Sequence, residues 1–389
     1  MAVASPPSVE RATLCCVLIH VIISSTIAFT SQRSLVRPIA LATVVILAVC
    51  IQNIVVTWNG HRRVAVPYSL FASMNTLNAT DLLLWTQVAY TEHREWTLKN
   101  PKTPPQKDIL PLRIKWALQL PYNYRRIGTK WQVTPTHAFD PNRPDYIPSR
   151  IDFLLHRVLA SLVSLLVLYY LGGAPFQNRF PGSVSLQQQR VLLDEWDFAL
   201  DLLPVRFYLW LSFFLGLANL QSIGYSVLSV IMVILHVSDP EDFPPMQGSY
   251  LGAWSVRRLW GHTWHQWFRQ FLTSNANFFT FTLLRLSPHT LLARYSRLFT
   301  SFFLSGLIHV LLDSAYGVPY NKSGALLFFT LQPFALGMEE IAQWFSKRYG
   351  IFMEDSLLRW SIRYVWVCAW CTLTWPIWVF PLMREPVAE

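Results

Sequence analysis

Charge is what this chain has least of. Lys, Arg, Asp and Glu together make up 14% of its 389 residues, against roughly a quarter in ordinary soluble domains. That scarcity excludes a disordered chain. It also argues against the two or three soluble domains that length alone would suggest. Cysteine is scarce too: Cys15, Cys16, Cys50, Cys368 and Cys371 all sit inside apolar runs, which excludes a disulfide-stapled fold. Cys368 and Cys371 form a lone CxxC with no second pair to complete a zinc site, so no metal is expected. No internal repeat and no self-standing soluble domain is visible.

What fills the chain is apolar. Such residues make up 52%, and mean hydropathy is +0.30 over the whole length. The sequence reads as an all-α polytopic membrane protein. A span needs about 20 mostly apolar residues, and Ala12–Gln32, with no Asp, Glu, Lys or Arg, is the first. After Arg11 it could pass for a secretory signal, but apolar runs follow at once, so a retained helix is expected. Residues 38–60 form the second span, and 67–90 a weaker third interrupted by Asn75, Asn78 and Asp81. Span four covers about 152–171 and ends at Gly172-Gly173; the acidic segment Asp194, Glu195, Asp197 and Asp201 follows. Phe207–Val237 is too long for one straight span, and a break or a tight re-entrant turn is expected at Asn219–Gly224, giving one kinked span or two short ones. Later runs cover about 275–287, 298–316, 323–343 and 361–382. The expected total is 8–10 membrane helices.

The net charge of +10 would in a soluble protein raise nucleic-acid binding. In a membrane protein it fits basic loops facing anionic headgroups, or a phosphate-bearing substrate held from the cytosolic side. The polar stretch of about 91–150 is Pro-rich and basic, and is expected to be cytoplasmic. Its inner piece, Ile109–Leu120, mixes apolar and basic residues as an interfacial helix does.

Chemistry concentrates at 254–271, which holds four of the 17 tryptophans. At helical spacing Trp260, Trp264, Trp267 and Phe271 form one stripe. Arg258, His262, His265 and Arg269 form another, about 200° around the helix. Such a helix could simply lie in the interface, with tryptophans anchored among headgroups and arginines on lipid phosphate. Its basic face could equally line a chamber for an anionic ligand; the two readings are compatible. Farther on, His309 sits in the middle of an apolar run, where an ionisable residue is costly and normally functional. Asp313, one turn on, could orient it as a general base is oriented. His20 and His236 lie near span ends and read as structural.

Together these segments resemble the membrane-bound O-acyltransferase superfamily, and within it the wax synthase-like (long-chain-alcohol O-acyltransferase) branch. Leu259, Trp260, Trp264, His265 and Arg269 match the motif F/L-W-x-x-x-W-H-x-x-x-R. Phe302, Ser305, Gly306 and His309 match F-x-x-S-G-x-x-H. The motif region is about 205–345, and hydropathy is compatible with a single such domain over 1–389. His262 departs from the basic residue common at its position. The chain is similar to fungal members that acetylate terpenoid and meroterpenoid alcohols.

That resemblance implies helices around a central reaction chamber, in the endoplasmic reticulum membrane. It implies transfer of an acyl group, most simply acetyl, from acyl-CoA to the hydroxyl of a lipophilic alcohol. Acyl-CoA is a co-substrate and no cofactor is held permanently; the partners are acyl-CoA, the alcohol and membrane lipid, with no nucleic acid. His309 and His265 are the implied catalytic residues, and Arg258, Arg269, His262, Trp260, Trp264 and Asp313 the candidate substrate contacts. Acyl transfer from a thioester needs a base and a hydrogen-bond donor at the developing oxyanion. His309 suits the first role. His265 could share it, donate to the thioester carbonyl, or hold the pantetheine arm; the second is favoured. Arg257, Arg258 and Arg269 suit the phosphates of acyl-CoA. The competing readings are a wax ester synthase, a secondary transporter, a catalytically dead scaffold and a di-iron hydroxylase. The last needs more histidine boxes than the single His262/His265 pair supplies.

Overall fold

The computed structural model describes residues 8–58, 61–100, 109–134, 136–172, 196–350 and 357–384, of which 171–172 and 196–202 by backbone alone. Asp194 and Glu195 therefore lie outside the described residues, as do the side chains of Asp197 and Asp201. The described residues are helical and contain no strand. Among the described residues, seven helices are long and apolar enough to cross a membrane. In chain order the helices are α1 (Val9–Phe29), α2 (Val36–Val55), α3 (Arg62–Thr80), α4 (Tyr90–Lys99), α5 (Leu110–Gln119) and α6 (Arg150–Gly172). They continue with α7 (Trp196–Ile234), α8 (Arg269–Asn277), α9 (Leu291–Tyr316), α10 (Ala325–Arg348) and α11 (Leu357–Arg384). Two further expected spans fall outside the seven: 67–90 lies on α3, which is too polar, and 275–287 begins on α8, which at nine residues is too short; each helix runs on into a π-helical turn, Asp81–Trp85 and Phe278–Leu283.

The chain divides into two compact units. Unit 1 comprises residues 1–133, 268–330 and 381–389. Its α1 stripe Ile19, Ile23 and Ile27 is buried in one cluster with Val44, Ala48 and Ile51 of α2, while Leu14, Val17 and Val21 point outward. An apolar outer face is what lipid requires. Inside, Gln52 donates to Leu311 O and Ser314 Oγ and accepts from Ser69 Oγ, tying α2, α3 and α9. Such polar ties are a main source of cohesion where apolar contact gains little over lipid.

The polar residues of the third span are not an interruption. Asn75, Asn78 and Asp81 are spaced by three and buried, and they receive the segment that follows α5. Asn75 bonds Tyr124 OH, Asn78 donates to Pro121 O, and Asp81 pairs with the buried Arg126 at 3.0 Å. Asn78 Oδ1 accepts a second bond from Arg126 at 2.7 Å. The inner helix expected at Ile109–Leu120 is α5.

Unit 2 comprises residues 134–267 and 331–380. Here α6 packs along α7, with Arg150 and Arg157 donating to the carbonyls of Val233 and Phe243. The expected break at Asn219–Gly224 does not occur: α7 is one helix of 39 residues, about 58 Å at 1.5 Å per residue. Asn219 donates back to Leu215 O, so its amide stays on the helix rather than ending it.

Candidate active site

His309 lies on α9 in unit 1. Thr290 caps the start of α9 by accepting from Ala293 N, and Gly317, at φ +106°, ends it. The small residues of the S-G pair are explained by what they face. A Cβ on Gly306 would stand 3.1 Å from Leu326 Cα, so α10 crosses here at a distance only glycine permits. That crossing sets Phe329 over the imidazole, stacked at 4.3 Å. The carbonyl of Ser305 lies 2.7 Å from Nδ1. A carbonyl only accepts, so Nδ1 carries the proton and Nε2 is the basic atom.

Asp313 does not orient Nδ1, as the sequence had suggested. Buried, it accepts from Ser323 Oγ at 2.6 Å, and its backbone carbonyl accepts from Val318 N. The position i+4 on a helix offers proximity, but Ser305 O occupies Nδ1 first.

The expected single helix over 254–271 is replaced by three pieces in sequence. A short turn, Val256–Arg258, is capped by Ser255 Oγ and passes into a π-turn at Leu259–Thr263. From Trp264 the backbone is extended, and α8 begins at Arg269. The break has a cause: Gln266 N donates to Met246 O, Gln266 Nε2 to Trp264 O, and Gly248 N to Thr263 O. These bonds take the backbone groups a continuing helix would use. The stripe Arg258, His262, His265, Arg269 is therefore not one face; Arg269 opens α8 in unit 1, and the other three belong to unit 2.

Within unit 2, α10 holds the tryptophan segment. Buried Gln332 accepts at Oε1 from the indoles of both Trp260 and Trp370, each at 3.1 Å. One side further along, Glu339 accepts from Val256 N at 2.6 Å and from Trp366 Nε1 at 2.9 Å. These two residues, seven apart on one face of an apolar helix, escaped the sequence reading. Their spacing was the available signal. Trp264 is buried on Phe214, ring centroids 4.6 Å apart, which makes it a support rather than a surface. His265 is half-buried between the Trp264 and Trp267 rings.

His262 has a neighbour the sequence did not announce. His137 lies 4.7 Å away ring to ring, and a Cβ on Gly248 would clash with both histidines. Arg257 is paired with Glu340. Arg258 donates from Nε to Gly252 O at 2.8 Å and lies over Trp254.

An all-helical membrane protein with a tautomer-fixed histidine in a span and a second histidine in a tryptophan-braced turn is equipped for acyl transfer. Comparison with known proteins agrees. The membrane bound O-acyl transferase family profile matches residues 243–331, the stretch containing both histidines. Acetyltransferase aurG of Calcarisporium arbuscula is 28% identical, over 92% of this chain and 89% of its own. Acetyltransferase eriL of Hericium erinaceus is 32% identical over 83% and 79%, and acetyltransferase ple2 of Rhodocybe pseudopiperita 30% identical over 78% and 74%. The chain belongs to the membrane bound O-acyl transferase family and is an integral membrane O-acyltransferase.

Proposed function

We propose that the protein moves an acetyl group from acetyl-CoA to a hydroxyl of a terpenoid or meroterpenoid alcohol, in the endoplasmic reticulum membrane, as one domain. The relatives named acetyltransferases support the acetyl group; the terpenoid acceptor rests on the resemblance of the two motifs to fungal members of the family. The observation that carries the chemistry is the Ser305 carbonyl on Nδ1 of His309. It makes Nε2 the base.

In this reading Nε2 accepts the hydroxyl proton as the alcohol oxygen attacks the thioester carbonyl. The tetrahedral intermediate places negative charge on the former carbonyl oxygen, and His265 donates a hydrogen bond there. Collapse breaks the C–S bond, and the CoA thiolate takes the proton back from His309. No covalent enzyme intermediate is needed. Arg258, whose Nε is committed to Gly252, offers its terminal nitrogens to the CoA phosphates; Arg269 and His262 add to the same recognition. Trp260 and Trp264 shape the turn that carries His265, and Asp313 fixes the end of the helix that carries His309.

Purified protein in sealed proteoliposomes, given labelled acetyl-CoA and an extract of fungal terpenoid alcohols, is expected to form labelled ester and free CoA in equal amounts. Movement of the alcohol across the bilayer without ester would replace this reading with transport. Esters formed only from long-chain acyl-CoA and fatty alcohols would make it a wax ester synthase.

A further inference from the structure

Unit 1 contains a cavity of about 600 Å³ that the reading above does not use. It lies between the π-turn after α3 and the α8 helix with its own π-turn. Its apolar walls are Trp85 and Phe278, stacked on each other at 3.5 Å, and its polar lining includes Thr86, Gln270, Ser274 and Asn277. The size falls within the range of about 300–1,000 Å³ found for sites that hold small organic molecules.

The hydrogen-bonding sense of two lining hydroxyls, Ser274 and Thr86, is fixed from beneath. Ser274 Oγ donates to Asp81 Oδ1 at 2.6 Å, and Thr86 Oγ1 donates to the same oxygen. Each hydroxyl has one proton, and both are spent on Asp81, so both turn only lone pairs to the cavity. Asn277 Oδ1 lies buried beside them, without a hydrogen-bond partner. Trp85 Nε1 donates to Asn275 Oδ1 and is likewise committed. The other oxygen of Asp81 pairs with Arg126 at 3.0 Å. Hydroxyl oxygens whose protons are committed in this way suit a ligand that brings an O–H donor.

The cavity also sits at a telling depth on α9. Phe271 of α8 shares a buried cluster with Ile308, the neighbour of His309, and Thr280 meets Ser296 at 3.4 Å. The two helices are thus antiparallel, and Ser274 falls between these contacts, level with the Ser305 turn toward which the His309 ring points.

We infer that this cavity binds the acceptor: a neutral polycyclic alcohol that gives the proton of a hydroxyl other than the one acetylated to Ser274 or Thr86, with its rings lying against Trp85 and Phe278. The polycyclic class rests on the proposed function; the preference for a neutral hydroxyl donor rests on the cavity alone.

The test measures binding without turnover, so failure of acetyl transfer would leave it standing, and its own failure would leave acetyl transfer standing. Tritiated abietinol, a tricyclic diterpene alcohol, and its hydrocarbon counterpart abietadiene are titrated onto the full chain in detergent, with acetyl-CoA binding read on the same samples. Wild type is expected to bind the alcohol saturably and more tightly than the hydrocarbon. Thr86→Val combined with Ser274→Ala should weaken the alcohol about tenfold and leave the hydrocarbon and acetyl-CoA unchanged. Thr273→Trp, which fills the cavity from α8, should abolish binding of the alcohol while acetyl-CoA still binds, showing that the protein is folded. Equal binding of alcohol and hydrocarbon, no saturable binding by wild type, or a loss confined to acetyl-CoA would each overturn the assignment.

Discussion

Nδ1 of His309 donates to the carbonyl of Ser305, four residues back on the same helix, at 2.7 Å. The ring is thus fixed by backbone and by the face of Phe329, not by a carboxylate. A neutral partner orients the base without adding charge beside it. The same geometry makes the helix crossing at Gly306 part of the chemistry, since Phe329 reaches the ring only because α10 comes so close.

Gly306→Ala therefore tests packing and turnover together. The added Cβ meets backbone, Leu326 Cα at 3.1 Å, so the helices must part rather than a side chain rotate. Overpacking of this kind costs about 1–3 kcal/mol. A thermal melt in nanodiscs should show a lower midpoint, and kcat should fall while acetyl-CoA affinity holds. An unchanged melt and unchanged kcat would mean that the close crossing is without consequence.

Gln332 is expected to act on the reaction through Trp260. Gln332→Leu removes the acceptor shared by two indoles and leaves buried N–H groups unpaired, at about 1–3 kcal/mol. Gln332→Glu keeps an acceptor oxygen and should recover much of kcat. Equal loss in both variants, with loss of folded protein, would reduce Gln332 to a packing residue.

His265 is assigned a donor role, and replacement chemistry can separate it from a base. Removing an oxyanion donor costs about 10²–10³ in turnover. His265→Asn keeps a donor without useful basicity, so it should retain far more activity than His265→Ala. Equal losses, with the acidic limb of the pH–rate profile gone, would make His265 the base.

His93, on α4 outside the membrane spans, predicts a stability effect with a definite sign. It is stacked among Trp96, Trp116 and Trp131, and burial pushes its pKa down to about 4. Between about 4 and the usual 6.5 the unfolded chain binds a proton that the folded chain refuses. Stability contributed by neutral His93 is therefore complete above that window and lost as pH falls through it. His93→Phe should flatten the dependence of the melting midpoint between pH 4 and 6.5; a dependence unchanged by the substitution would contradict the assignment.

Hydropathy made most of the helices legible, because a span must be apolar whatever it packs against. It misjudged Asn75, Asn78 and Asp81, whose partners lie in the segment after α5, more than forty residues away in sequence for each. The 254–271 stripe failed for a similar reason. Helical periodicity assumes that backbone groups pair locally, and Met246 O and the Gln266 side chain intervene. The histidines were visible as residue types in unusual company. Ser305 O, Gln332 and Glu339, which hold the candidate site, depend on backbone direction and helix pairing that one sequence does not display.

The most direct measurement is the pH–rate profile of acetyl transfer for wild type and His309→Ala, with acetyl-CoA binding determined on the same preparations. If Nε2 of His309 is the base, the substitution lowers turnover by about 10²–10⁴, removes the acidic limb of the profile and leaves acetyl-CoA binding intact. A variant that turns over at nearly the wild-type rate with the limb still present would show that the base lies elsewhere.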